Sequence, residues 1–233
     1  VTRGFHPIPE VRAMPRFDLF TSIHKALRAM IYDTGSALQT ADFADEAGAR
    51  RAFDAVQPAL GQMQHHHDLE EEYVFPKVRP FEEEMIDDLQ AQHDQVERLL
   101  GVTAVAADWA DSADAAARVG AGVNLNRRFN ELTGLFLEHL AQEEAILLPA
   151  TWRHFDDAQL VAIQGAIMGA QQPEDLMQTL QWMFKGLNRM ELVEILAAAK
   201  VTMPPPALDA VRELGAANME PAAWAVVREQ AGL

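Results

Sequence analysis

Two segments of this chain align on each other without a gap. His66-His67-Asp68-Leu69-Glu70-Glu71-Glu72-Tyr73-Val74-Phe75-Pro76 falls on His139-Leu140-Ala141-Gln142-Glu143-Glu144-Ala145-Ile146-Leu147-Leu148-Pro149, and both read His-x3-Glu-Glu-x4-Pro. At background frequencies of about 5% for Pro and roughly 10% for Glu, a given His meets that pattern by chance only about once in two thousand. Two copies therefore mark a device rather than a coincidence. Residues four apart on an α-helix differ by only about 40° in direction and about 6 Å in height, so the His and the first Glu of each copy project into the same space. Two such helices facing each other deliver two imidazoles and two carboxylates to one interior.

The rest of the chain supplies the helices this arrangement needs. Of its 233 residues 49% are hydrophobic, only two are Tyr, and Ala, Leu, Glu and Gln recur at short intervals, which favours helix over strand. The expected fold class is all-α, an up-and-down four-helix bundle with a C-terminal helical tail. After a Pro-punctuated leader (Pro7, Pro9, Pro15), a helix over about 17–37 carries Phe17, Phe20, His24, Leu27 and Ile31 on one face. A second segment runs to Phe75, and Pro58 is expected to kink or split it. A third helix, about 81–106, sets His93 among Ile86, Leu89, Val96 and Leu100. A turn at Asp108 to Ser112 is expected to start the fourth helix, which carries His139 and ends at Pro149. Residues 1–155 thus form a metal-binding bundle, and residues 156–233 a set of shorter helices for packing or for dimerisation, with a homodimer as the expected partner state. One of those helices follows Asn188, which with Glu191 resembles a capping box.

His24 and His93 sit on matched apolar faces, so His24 echoes His93 as His66 echoes His139. The candidate metal ligands are His24, His66, Glu70, His93, His139 and Glu143, enough for two metals. The frame His67 to Glu71 has the same spacing. The frame His66 to Glu70 is preferred because Met63, Leu69 and Tyr73 share its face and because its distance to Pro76 matches that from His139 to Pro149. His6 and His154 have no partner in the pattern and are read as surface residues, and the acidic runs 70–72 and 82–84 as solvated faces apart from Glu70.

The order His, His-x3-Glu, His, His-x3-Glu resembles the hemerythrin-like, or HHE cation-binding, family over roughly residues 15–155. The resemblance implies a non-heme di-iron centre, with His24 and His66 on one iron, His93 and His139 on the other, and Glu70 and Glu143 bridging. Oxygen-carrying hemerythrins place a second His one turn after the third-helix ligand. Here that position is Glu97, which is left as a possible extra ligand, as is Tyr73.

The donor chemistry points the same way. Imidazole and carboxylate without thiolate suit Fe, with Mn or Zn as substitutes, rather than Mg, Ca or Cu(I). Absence of cysteine excludes disulfides, zinc fingers, iron–sulfur clusters and thiol catalysis. A formal charge of −16 argues against nucleic acid and against an anionic membrane surface. No apolar run or secretory pattern is evident, and the expectation is a soluble, cytoplasmic protein. Binding or sensing of a small ligand (oxygen, nitric oxide) or of iron is the first functional reading. A di-iron enzyme that disproportionates peroxide or reduces nitric oxide is the second. A purely structural metal is the third.

Overall fold

The computed structural model describes residues 16–233, and every regular element in that span is helical. The leader and His6 lie outside the described residues. Helix α1 is Thr21–Thr40, opened by Asp18, whose carboxylate accepts from the backbone N–H groups of Phe20 and Thr21. Helices α2, Glu46–Asp54, and α3, Val56–Tyr73, are divided at Ala55. Pro58 causes the division three residues upstream, since its ring would clash with the carbonyl of Asp54 in a continuous helix. The short α4, Phe75–Val78, follows a break at Val74, and α5, Glu83–Ser112, is the longest element.

The expected turn at Asp108 to Ser112 is helical instead. Ala106, Ala107 and Ala110 are buried there, and the Ser112 hydroxyl donates back to the carbonyl of Asp108, so packing overrides the polar composition. The turn comes at 113–117, where Asp114 accepts from the N–H groups of Ala116 and Ala117. Helix α6 is Arg118–Gln142, and it does not stop at Pro149. It widens into a π-helical segment, Glu143–Leu147, and resumes as α7, Leu148–His154. In the wider turn Leu148 N–H donates to the carbonyl of Glu143, five residues back, which makes room for a ring that an α-helical turn would reject. The two copies of the repeat thus accommodate their prolines differently, by a break at Val74 and by a π turn at Glu143.

Helix α1 packs on α3 and α6, and α5 packs on the same two. Their interior is layered. One apolar cluster includes Leu27, Met63, Val96, Phe136 and Leu140, and another includes Phe20, Val74, Phe75, Leu89 and Leu147. His24, His66, Glu70, His93 and Glu143 lie between them in sequence, and His139 lies at the edge of the first, next to Leu140.

Helices α8, Asp157–Ala170, α9, Pro173–Gly186, α10, Arg189–Thr202, α11, Pro205–Asn218, and α12, Pro221–Ala231, make up the tail. The capping box of Asn188 and Glu191 is formed. Leu160 and Ile163 of α8 join the second apolar cluster. Helix α9 lies along α1, with Trp182 against the first cluster and Lys25 paired to Glu191 at 2.5 Å. A β-carbon on Gly186 would come within 2.5 Å of the carbonyl oxygen of Lys25, so glycine permits this approach of the two backbones. Leu180, Phe184, Leu196, Val211, Trp224 and Val227 build a core of the tail's own. Among the described residues no helix is long and apolar enough to cross a membrane.

Candidate metal centre

The four helices bring all six predicted residues together. His24 comes from α1, His66 and Glu70 from α3, His93 from α5 and His139 from α6, while Glu143 opens the π turn, and all are buried. Each carboxylate divides its oxygens between two pairs of imidazoles. Glu143 Oε2 lies 3.4 Å from His24 Nε2 and 3.9 Å from His66 Nε2. Its Oε1 lies 3.2 Å from His139 Nε2 and 3.9 Å from His93 Nε2. Glu70 Oε1 is 3.3 Å from His66 Nε2 and 4.0 Å from His24 Nε2, with Oε2 3.6 Å from His93 Nε2. Two groups that can each hold a cation follow, His24-His66-Glu70-Glu143 and Glu70-His93-His139-Glu143.

The far sides of three imidazoles are fixed by hydrogen bonds. His24 Nδ1 lies 3.0 Å from Glu144 Oε1, which also accepts from Arg28 at 2.6 Å. His93 Nδ1 lies 2.8 Å from Glu71 Oε1, and His139 Nδ1 lies 3.1 Å from Gln92 Oε1. The Gln92 amide nitrogen donates to Gln142 at 2.9 Å, which turns its oxygen toward His139. Carboxylate and amide oxygens only accept here, so Nδ1 carries the proton in all three rings and the Nε2 lone pair points inward. His93 Nε2 and His139 Nε2 then face each other at 3.0 Å. Two lone pairs at that distance repel unless a cation or a proton lies between them.

Among the described residues, the buried side-chain nitrogens and oxygens left without a hydrogen-bond partner are all at this place: Nε2 of His24, His66 and His67, and both oxygens of Glu70 and Glu143. An orphaned buried polar atom costs about 1–3 kcal/mol, and a charged one more, so seven in one cluster identify donors arranged for positive charge. The electrostatics agree. Burial opposes a charge on His24 and on His93, but the carboxylates of Glu143, Glu144, Glu70 and Glu71 outweigh it and raise both above the ordinary imidazole range. Burial, then the neighbouring Glu143 charge, pushes Glu70 up to about 8. The cluster attracts cations, and imidazole with carboxylate is a donor set that iron accepts.

The hemerythrin HHE cation-binding domain model matches residues 16–151, more than half of the chain. The chain belongs to that family. No curated protein and no solved structure matches it. The hemerythrin match spans α1 through most of α7, the part that holds the His and Glu cluster.

In and beside this hemerythrin domain, the residues outside the six-residue set divide into two kinds. Glu97 is exposed and takes no part in the cluster. Tyr73 has Glu72 beside its hydroxyl, His65 faces Gln171 at 3.3 Å, and the partly buried His154 pairs with Glu82 at 2.8 Å and stacks on Phe81. Glu71, Glu144 and His67, by contrast, lie at the cluster, although the sequence gives Glu144 no role and sets His67 and Glu71 aside as the alternative frame. The second Glu of each repeat, Glu71 expected to be solvated and Glu144 given no role by the sequence, holds the lone imidazole of a neighbouring helix. Its presence in both copies was the signal. His67 is buried beside His66, because consecutive helical residues are only about 100° apart and a wide inward face takes both. Leu69 and Tyr73, used to choose the frame, are only partly buried.

Proposed function

We propose that this hemerythrin-domain chain is a non-heme di-iron protein that binds or senses a small ligand, oxygen or nitric oxide. The observation that carries the reading is the division of Glu70 and Glu143 oxygens between His24 with His66 and His93 with His139. A carboxylate with one oxygen turned to each pair suits two metals side by side. His24 and His66 would hold one iron, His93 and His139 the other, and both Glu residues would span them. Iron held there supplies redox chemistry and an open coordination position for a small ligand.

The protein's own part is to orient and to exclude water. Glu144, Glu71 and Gln92 fix the imidazole tautomers, and Phe20, Phe75 and Phe136 wall the layer off from solvent. The up-and-down four-helix bundle expected from the sequence is part of this reading. It is supported by the order of layers, since α1 and α5 pass from the second apolar cluster to the first and α3 and α6 pass the other way. The tail is assigned a supporting role, with α9 holding α1 and hence His24 in place.

Iron analysis and Mössbauer spectra of the reconstituted protein, followed by titration with nitric oxide, test the reading. About two irons per chain in two nitrogen- and oxygen-ligated environments, with stoichiometric uptake of nitric oxide, are expected. One iron per chain overturns it, and rapid turnover of peroxide or nitric oxide moves it to the enzymatic alternative.

A further inference from the structure

Resting on that di-metal reading, we infer that the tail reports the occupancy of one metal: its docking through α9 responds to a cation held by His24 and His66, and far less to one held by His93 and His139. The tail is built on a repeat. Helices α8 to α12 begin at Asp157, Pro173, Arg189, Pro205 and Pro221, sixteen residues apart, and the fourth residue of each is apolar, Leu160, Leu176, Leu192, Leu208 and Trp224. A fixed period of this kind marks units that stack on one another, and α11 packs on α9 as α12 packs on α10. Helix α9 departs from the repeat at two positions. The seventh residue is Ile163, Ile195, Val211 or Val227 in the other helices and Thr179 in α9. The fourteenth is Ala170, Thr202 or Asn218 in those long enough to have one and Gly186 in α9.

Both departures meet the bundle. The Thr179 hydroxyl donates to the buried Gln62 of α3 at 3.1 Å, and the Gln62 amide donates in turn to Gln178 at 3.0 Å. Gly186 lies against the Lys25 backbone of α1, where a side chain would not fit. Gln62 stands one helical turn before His66, and Lys25 directly follows His24. Helix α9 therefore ties together the two helices that carry the imidazoles of one metal, through contacts two turns apart on its own axis, about 10 Å. A cation shared by His24, His66, Glu70 and Glu143 fixes the spacing of α1 and α3. In its absence the buried carboxylates repel each other, the two helices shift, and one stiff helix cannot keep both contacts. Loss of the Thr179 contact also costs the buried Gln62 oxygen its partner. The tail has a core of its own, so α9 moves with the helices stacked on it. Coupling of this kind is reciprocal, and docking of α9 tightens the same metal by the same factor. The other two imidazoles come from α5 and α6, away from both contacts.

Cobalt(II) titration of the chelated full-length protein, with hydrogen exchange followed at the α9 amides, tests the coupling in both directions. Wild type is expected to take up two ions and to slow exchange along α9 by about tenfold. His93→Ala, which leaves the His24 and His66 pair, should keep that slowing, and His24→Ala, which leaves the other pair, should lose it. Conversely, Thr179→Val combined with Gly186→Ala should weaken cobalt binding about tenfold in the His93→Ala background and leave it unchanged in the His24→Ala background. Thr179→Val restores the branched apolar residue of the repeat, so the tail keeps its core, and circular dichroism checks the fold. The exchange comparison needs no change in the tail. If cobalt slows α9 equally in both single-site proteins or in neither, or if the tail variant weakens both sites alike or neither, the inference is overturned while uptake of two ions by wild type keeps the di-metal centre. If wild type binds only one ion, the di-metal reading fails and the inference with it.

Discussion

Nδ1 of His24 donates to Glu144 across 3.0 Å, joining the single imidazole of α1 to the second Glu of the distal repeat. The same relation ties His93 to Glu71 of the first repeat at 2.8 Å. Each His-x3-Glu-Glu copy therefore does two jobs. Its His and first Glu face inward, and its second Glu sets the ring of a partner helix. A carboxylate behind a ligating imidazole fixes its tautomer and makes it a stronger donor. Arg28 adds to this on one side only, since it pairs with Glu144 at 2.6 Å. Burial opposes the Glu144 charge, but His24 and Arg28 outweigh it and hold its carboxyl down to about 2.

Glu144→Ala is accordingly expected to weaken iron binding by about ten- to a hundredfold, read by competition with a chromophoric chelator. Glu144→Gln keeps an acceptor oxygen and should lose much less. Equal affinities for wild type and Glu144→Ala would mean that the contact does not orient His24.

The six inward residues were legible because their spacing repeats, and repetition survives translation into any helical geometry. What the sequence hid was angular. Choosing between His66 and His67 assumed a narrow inward stripe, whereas α3 buries Met63, His66, His67 and Glu70 together. Pro149 misled for a related reason, since its cost falls on the turn before it and the π segment at Glu143 relieves it. The polar end of α5 misled because Ala106, Ala107 and Ala110 are small residues whose burial composition does not announce. The docking of α9 on α1 has no local sequence signature, because it depends on Gly186 meeting a backbone carbonyl distant in the chain.

That contact gives a second prediction. Gly186→Ala places a β-carbon 2.5 Å from the Lys25 carbonyl oxygen, and neither backbone can move aside without shifting α9 from α1. Overpacking of this kind costs about 1–3 kcal/mol, which exceeds the roughly 0.5–1 kcal/mol that alanine returns in helix propensity. The melting temperature should fall by a few degrees. An unchanged or higher value would show that α9 does not hold α1.

A third prediction separates the roles of imidazole and bridging carboxylate. His93→Ala removes a donor from one pair only and should leave about one iron per chain, whereas Glu143→Ala removes an oxygen from both pairs and should leave almost none. Elemental analysis of the two variants decides it. Equal iron contents would sink the bridging role of Glu143.

The last prediction concerns pH, and its sign follows from the groups in the cluster. Glu70, pushed up to about 8 by burial and then by Glu143, is harder to ionise in the folded chain than in the unfolded one. The metal-free protein therefore loses stability as pH rises from near 4.5 to 8. In His24 and His93 the carboxylates outweigh burial and raise the imidazoles, so the stability they contribute is complete below 6.5 and lost as pH rises through the folded values. The opposing groups act elsewhere. His66 and His67, lowered by burial and by neighbouring imidazoles, exert their effect as pH falls below 6.5. In Glu143 and Glu144 burial opposes the charge, but histidine partners outweigh it and hold both low, so their effect comes below 4.5. From pH 6.5 to 8 the terms of the cluster have one sign, and the melting temperature of the chelated protein should decline across that window. Metal binding requires neutral imidazoles and ionised carboxylates, so near pH 6.5 only the unfolded iron-free chain still holds protons on these histidines, and the melting temperature of the iron-loaded protein should rise as they leave. The two curves should therefore diverge with rising pH. Parallel curves, with metal removal checked by elemental analysis, would show that this cluster is not coupled to folding.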